Sequence, residues 1–449
     1  MKKRFLLAIL IFISIASSAQ TIEGSWYGLL KVQETELRVV FNIVRQDTTY
    51  IATMDSPDQG VKGISVDIVS FVNSVLKIEI KSAMIEYSGI YLGDKILGTF
   101  KQHGQSFPMN LSRRAIEGPK RPQEPKQPYG YYTENVKFKN EKAGIALSGT
   151  LSLPSKEGSF PAVILISGSG PQNRDEEIMG HKPFLVIADH LTKNGIGVLR
   201  FDDRGVGESQ GVFASATTLD FVSDVEAAMD YLKERKEIKS NNIGLIGHSE
   251  GGIIAPLVAN NRKDVSFIVL LAGTGVKGSE IILAQQELIA RASGASEEEI
   301  SEYKKLNRNI LNIIDNEEKN PDLKNIITNL IVSASKGSAP VELARQQAGQ
   351  VTSPWMLFFL KYDPAIALRE VKCPILAING DKDLQVPSKI NLKAIEESSN
   401  DVTIIELEGL NHLFQEAQTG LPAEYSKIEE TFSPKALKII TEWVMKRVR

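Results

Sequence analysis

Residues 243–253 read Ile243-Gly244-Leu245-Ile246-Gly247-His248-Ser249-Glu250-Gly251-Gly252-Ile253. An apolar, β-branched run leads into a serine set between glycines, and a helix-like stretch leads out. This is G-x-S-x-G in strand–turn–helix context. Such a turn is sharp and strained. Side chains at the flanking positions would clash, and glycine removes the clash. Ser249 would then hold its hydroxyl toward solvent at a helix N-terminus, where partial positive charge favours a developing anion.

The surrounding sequence supplies a fold for this turn. Short apolar runs at 162–166, 197–201, 242–246, 267–271 and 374–378 are rich in β-branched residues. Strands buried on both faces of a parallel sheet read this way. Stretches at 183–193, 219–233 and 252–260 have helical character. Alternation of the two predicts a doubly wound, mostly parallel α/β sheet with helices on both faces. The alternation stops between about 276 and 365, where no strand signal occurs. Ser296 and Glu299 have capping-box spacing, and Ile300, Tyr303, Leu306, Ile310 and Ile313 follow at helical intervals. A helical cap over the sheet edge is expected there.

Toward the N-terminus the pattern changes to period two. Leu37, Val39, Phe41 and Ile43 alternate with Arg38, Val40 and Asn42, and Leu76, Ile78 and Ile80 alternate with Lys77 and Glu79. With turn signals between such runs, residues 20–115 read as a separate antiparallel β domain, a sandwich or a barrel-like module. Its histidine, His103, reads as a surface or turn residue. Pro119, Pro122, Pro125 and Pro128 recur at every third position. They mark 116–130 as a proline-rich linker, since polyproline II repeats every three residues. Residues 131–449 then form the α/β domain.

Residues 1–19 read as a signal peptide. Lys2, Lys3 and Arg4 precede an apolar run that ends at Ser17-Ser18-Ala19. The run is shorter than the ~20 residues needed to span a bilayer. The expectation is an exported protein, periplasmic or secreted, with no membrane span once the leader is cleaved. The 449-residue length is about three times the ~150-residue norm for one domain, in keeping with this division. A formal net charge of -3 gives no basic footprint for nucleic acid. The single cysteine, Cys373, excludes an internal disulfide, and no cluster has metal-ligand spacing.

A serine nucleophile needs a base, and the chain has five histidines. His248 adjoins Ser249 across a turn that splays neighbours apart, and it reads as packing around the turn. His181 and His190 precede the serine, and His190 falls in a helical pattern. His412 sits in Gly409-Leu410-Asn411-His412-Leu413-Phe414, a loop after the strand-like 402–407. An acid is expected at the end of the strand before it. Gly380-Asp381-Lys382-Asp383 offers two carboxylates. The oxyanion needs two backbone donors. Glu250, after the nucleophile, is one. The small loop Ser167-Gly168-Ser169-Gly170-Pro171 offers Ser169, with Gly170 second. The pair Asp203-Arg204 reads as support at a strand end. Trp355, Phe358 and Phe359 lie in an apolar run that can line an acyl pocket.

Together with Arg200-Phe201-Asp202-Asp203-Arg204-Gly205, these motifs resemble the α/β-hydrolase superfamily. Within it, residues 130–449 are similar to exported bacterial serine esterases of the prolyl-oligopeptidase-like branch, which carry a helical cap and often an N-terminal β domain. The resemblance implies Ser249 as nucleophile, Asp383 as acid and His412 as base, in a carboxylesterase that needs no cofactor. Ser167-Gly168 departs from the His-Gly many hydrolases carry at the oxyanion strand end, which leaves the second donor open between Ser169 and Gly170. The implied substrate is a small-molecule ester of short or medium acyl length. An exported serine aminopeptidase with the same machinery is the enzymatic alternative, and a non-catalytic binding module the alternative of another class. A homo-oligomer is compatible with the sequence, and the β domain's ligand is not given by it.

Overall fold

The computed structural model describes residues 21–32, 35–59, 61–102, 104–335 and 340–448. The expected leader at 1–19 and His103 lie outside the described residues. The chain divides into two compact units, Met1–Gly118 and Pro119–Arg449.

Among the described residues of the first unit, ten strands, from Gly24–Val32 to Leu111–Ser112, pair antiparallel in one sheet. They make one continuous sheet rather than the two of a sandwich. Side chains from distant strands, among them Trp26, Phe41, Met54, Leu76 and Phe100, meet in one core, so the sheet curls around its own apolar face. The two-residue alternation explains this. Val39, Phe41 and Ile43 are buried, as are Leu76, Ile78 and Ile80, while Asn42, Lys77 and Glu79 between them are more exposed; Val40, expected on the outer face, is buried as well.

The second unit begins with the proline-rich stretch, which is not a free polyproline rod. The Arg121 guanidinium donates to the carbonyls of Gly180, Ser426 and Ile428 at 3.1, 3.1 and 2.6 Å. The Gln123 carboxamide accepts from Thr431 N–H and donates to the Phe432 carbonyl, at 2.6 and 2.7 Å. Side-chain hydrogen bonds to backbone therefore outweigh the extended preference of the prolines, and the stretch turns at Arg121–Glu124.

The rest is the expected α/β-hydrolase fold. Eight strands lie in the order Tyr132–Asn140, Ile145–Leu153, Gly197–Phe201, Phe160–Ile166, Ile238–His248, Ile268–Leu271, Ile375–Gly380 and Val402–Leu407. The first two pairings are antiparallel and the remaining ones parallel. Along Phe160–Ile166, Ala162, Ile164 and Ile166 enter one core while Val163 and Leu165 enter the other. Helices Thr218–Glu234 and Gly251–Asn261 cover the first face, and Pro183–Lys193 and Pro434–Met445 the second. Each fully buried aliphatic side chain stabilises this three-layer packing by about 1.5–3 kcal/mol. All parallel strands run the same way, so their carboxyl ends share one edge, where loops can converge on a site.

The cap follows the strand Ile268–Leu271. Helices Gly278–Ala292, Glu297–Glu317, Leu323–Ala334, Val341–Val351 and Pro354–Lys361 occupy the segment expected to hold it. The capping box forms as read: Ser296 Oγ accepts from Glu299 N–H, and the Glu299 carboxylate accepts from Ser296 N–H. Ile310, Ile314, Leu323, Ile327 and Leu360 give the cap its own small core. Among the described residues no helix is long and apolar enough to cross a membrane.

Candidate active site

The serine turn has the geometry that its glycines foretell. Ser249 sits at φ +52°, in the left-handed region, where a non-glycine residue stores about 1–3 kcal/mol of strain. A Cβ at Gly247 would lie 2.0 Å from the Gly251 carbonyl oxygen, and one at Gly251 would lie 2.3 Å from that of Ile166. No side chain fits at either position. The turn is held by Ser249 N–H on the Leu271 carbonyl at 2.8 Å and Gly252 N–H on the Ser249 carbonyl at 2.9 Å.

His412 lies in the loop after the strand Val402–Leu407 and is buried. Its Nδ1 meets Asp383 Oδ2 at 2.8 Å. The other oxygen of Asp383 accepts from the N–H groups of Gln385 and Val386, both at 2.8 Å, so the carboxylate is held at both ends. Asp381 instead accepts from Gly409 N–H at 2.7 Å and ties the two loops together. Of the two carboxylates, only Asp383 touches the imidazole. Asn411 frames the loop, its side-chain oxygen accepting from Leu413 and Gln415 N–H. Ser249 and His412 line one cavity. Their side chains are not hydrogen-bonded to each other among the described residues, and bonds of this kind commonly tighten only with substrate present.

The other histidines are engaged elsewhere. His181 is fully buried, with Nε2 on the Tyr425 carbonyl and Nδ1 on Thr431 Oγ1. Burial pushes its pKa down to about 4. His190 stays in the helix Pro183–Lys193.

Ser169 and Glu250 also line the cavity. Among the described residues their backbone N–H groups have no acceptor, whereas Gly168 N–H is spent on Glu176 Oε1 at 2.7 Å. Gly170, at φ +94°, turns the loop and lies outside the cavity. Asp203 clamps the same loop, accepting from Ser167 Oγ at 2.8 Å and Gln172 N–H at 2.9 Å. Burial pushes its carboxyl up to about 8. Arg204 turns away and pairs with Asp224 at 2.7 Å. The reading of Asp203-Arg204 as support is thus given concrete partners.

The Glu250 side chain folds under the site. Its Oε1 accepts from Thr218 Oγ1 at 2.7 Å and from Trp355 Nε1 at 2.6 Å, and burial pushes it up to about 7. Trp355 stacks on Phe359 with ring centroids 5.3 Å apart, and both line the cavity with Ile281 and Val386. Phe358 does not. It projects from another side of its helix and stacks on Tyr362. Residues four apart share a helix face, so Trp355 pairs with Phe359 and Phe358 is directed elsewhere.

Two site features escaped the sequence. Gln172, Gln285 and Gln385 add polar groups to the cavity wall, and glutamines in loops and cap helices carry no motif. Glu176, in the loop after Phe160–Ile166, is buried and bonds His248 Nδ1 at 2.9 Å. His248 Nε2 in turn reaches the His412 carbonyl at 3.0 Å. Burial disfavours a charged His248 ring, yet the Glu176 carboxylate and the bonds to Glu176 and His412 lift it above the ordinary histidine value. His248 is therefore more than packing.

The Hydrolase_4 family, described as serine aminopeptidase, S33, matches residues 182–417, which include Ser249, Asp383 and His412. The chain is similar to Esterase EstD of Thermotoga maritima, with 28% identity over 304 residues. That match covers 67% of this chain and 66% of the esterase, just under two thirds of its length. It is also similar to the solved Pyrococcus furiosus esterase Pf2001, at 16% identity and a TM-score of 0.43, over 72% of this chain and 95% of that one. The family match spans more than half of the sequence, and the chain belongs to the Hydrolase_4 (serine aminopeptidase, S33) family as a hydrolase of the α/β fold.

Proposed function

We propose that the protein is a serine carboxylesterase acting on short or medium acyl esters through an acyl-enzyme. The observation that carries this reading is one cavity lined by Ser249, His412, Ser169 and Glu250, with Asp383 bonded to the His412 ring. Ser249 Oγ attacks the ester carbonyl as His412 Nε2 takes its proton. The Glu250 and Ser169 N–H groups receive the oxyanion, each contributing about 3 kcal/mol. The alcohol leaves with the proton from His412. Water, activated by the same imidazole, attacks the acyl-enzyme and releases the acid and Ser249. Asp383 holds the tautomer with Nδ1 protonated and steadies the imidazolium without taking its proton. No cofactor enters the cycle. Export of the protein, and a small-molecule ester as its partner, belong to the same proposal.

An aminopeptidase needs an ionised, accessible carboxylate for the substrate ammonium. The cavity carboxyls are Glu176 and Glu250. Glu176 is committed to Gly168 and His248, and burial favours the neutral form of Glu250. This supports esters over aminoacyl amides, as does the likeness to Esterase EstD. The test compares p-nitrophenyl acetate and butyrate with a matched aminoacyl p-nitroanilide, using wild type and Ser249→Ala. Serine-dependent turnover of the esters alone is expected. Equal or better cleavage of the anilide would replace the esterase reading with a peptidase.

A further inference from the structure

Glu176 is a glutamate in a left-handed conformation, φ +50°, with 3% of its surface exposed. A non-glycine residue persists in that region only where its surroundings over-determine it. Here the surroundings are three loops. Glu176 Oε1 accepts from Gly168 N–H at 2.7 Å and from His248 Nδ1 at 2.9 Å. His248 Nε2 lies 3.0 Å from the His412 carbonyl. One carboxylate and one imidazole thus join the oxyanion loop, the nucleophile turn and the base loop. The junction is tight: a Cβ at Gly168 would lie 3.2 Å from Ser249 Cβ, 3.3 Å from Glu176 Oε1 and 3.5 Å from His248 Nδ1.

The chemistry of the partners sets the protons. A backbone carbonyl only accepts, so His248 Nε2 carries a proton. Glu176 Oε1 already accepts from Gly168, and its meeting with Nδ1 is satisfied when Nδ1 is protonated as well. His248 is then an imidazolium facing a carboxylate, and its bonds are charge-assisted, about twice as strong as neutral ones. A buried ion pair is seldom the most stabilising filling for such a space, because desolvation opposes it. What it supplies is direction. The surrounding titratable groups are Asp203 on the far side of the loop and Glu250 beneath the turn, in both of which burial favours the neutral form, and Asp383, which bonds His412.

We infer that Glu176 and His248 are positioning residues for the reaction, holding the His412 backbone and the 167–172 loop so that Ser169, and not Gly168, presents the second oxyanion N–H. The inference rests on the serine-hydrolase reading of the site. Asp383 orients the imidazole of His412 through its ring, and the Glu176–His248 pair orients the same residue through its backbone. The His248 and His412 rings lie 4.8 Å apart, tilted by 44°, so a shift of one ring moves the other. Glu176 occupies the Gly168 N–H, and the next N–H in the loop, that of the cavity-lining Ser169, is left without an acceptor among the described residues.

The test uses the full-length protein and the variants Glu176→Ala, Glu176→Gln and His248→Gln, beside Ser249→Ala. Steady-state hydrolysis of p-nitrophenyl butyrate separates kcat from KM. The affinity of an alkyl boronic acid, which forms a tetrahedral adduct on the serine, reports how well the site holds a tetrahedral oxyanion without turnover. For folded Glu176→Ala the expected result is a loss of about 100-fold in kcat with KM within threefold, matched by weaker boronate binding, as for loss of one oxyanion donor. Glu176→Gln keeps an acceptor for Gly168 and is expected to recover part of that loss. If Glu176→Ala fails to fold, Glu176→Gln and His248→Gln are held to the same kcat-against-KM split. A folded variant of either residue that keeps wild-type kcat and boronate affinity would overturn the inference. Nitrogen-15 NMR of the histidine rings gives a readout independent of turnover. Two protonated nitrogens on His248 at pH 7.5 are expected, and a bare nitrogen would overturn the pair. Were Ser249→Ala as active as wild type, the serine-hydrolase reading would fall, while the NMR result would still decide the pair.

Discussion

Trp355 Nε1 donates to Glu250 Oε1 at 2.6 Å, and through this bond a cap helix is tied to the residue that follows Ser249 in the serine turn. The same indole stacks on Phe359 and walls the cavity. The cap, the cavity wall and the serine turn therefore meet at one side chain.

Trp355→Ala should widen the acyl space. The ratio of kcat/KM for p-nitrophenyl octanoate over butyrate is expected to rise about 10-fold, the scale on which hydrophobic pockets discriminate a few methylenes. Trp355→Phe should keep the ratio near wild type, because the ring remains. An unchanged ratio in Trp355→Ala would remove this residue from the acyl wall.

Ser249→Ala should lower kcat for p-nitrophenyl butyrate by at least ~10⁴-fold, the scale of nucleophile loss in serine hydrolases. Its thermal midpoint should not fall, because the side-chain oxygen makes no bond to His412 and alanine suits the strained turn no worse than serine. Retained turnover in folded protein would refute the assignment of the nucleophile.

Asp383 and Asp381 separate cleanly by experiment. Asp383→Asn leaves His412 facing an amide in the wrong tautomer, and a loss of about 10⁴-fold in kcat is expected. Asp381→Asn keeps an acceptor for Gly409 N–H and should cost less than 10-fold, on the scale of one exposed neutral hydrogen bond. Equal losses would mean that the carboxylate bonded to His412 is not the one that matters.

Glu250 has a pH signature in stability. Burial raises its carboxyl from 4.5 to about 7, so the folded state holds a proton that the unfolded chain releases. That contribution is fully present below about pH 4.5 and is lost as pH rises through 7. Glu250→Gln cannot ionise and still accepts from Thr218 and Trp355. Thermal midpoints should be within about a degree of wild type at pH 4.5 and should exceed it by a few degrees at pH 8.5. Midpoints that track wild type at both values would show that Glu250 is ionised without penalty.

The reading from sequence was strongest where one element carried the whole signal. The run 162–166 needed only its β-branched residues to be placed as an interior strand, and it lies in Phe160–Ile166. Ser296 and Glu299 announced a helix start three residues apart. Phe358 shows where that reasoning stopped short. Composition put it in the pocket, while the four-residue helical period, also present in the sequence, pairs Trp355 with Phe359 instead.

By itself the sequence determined where the serine turn lies, because its strand, its flanking glycines and its helix are contiguous. A Cβ at Gly247 would lie 2.0 Å from the Gly251 carbonyl oxygen, within the turn itself, whereas one at Gly251 would lie 2.3 Å from that of Ile166 on the neighbouring strand. It likewise determined the alternation of strands and helices, since apolar period follows from secondary structure alone. Tertiary structure alone decided which carboxylate meets His412, which loop N–H is taken by Glu176, and that Glu176 joins His248. Those bonds close over 29, 8 and 72 residues, and the last continues over 164 to the His412 carbonyl. No spacing rule encodes such separations. They are set by where the sheet brings its loops, and by the requirement that a buried carboxylate or imidazole find partners once it leaves water.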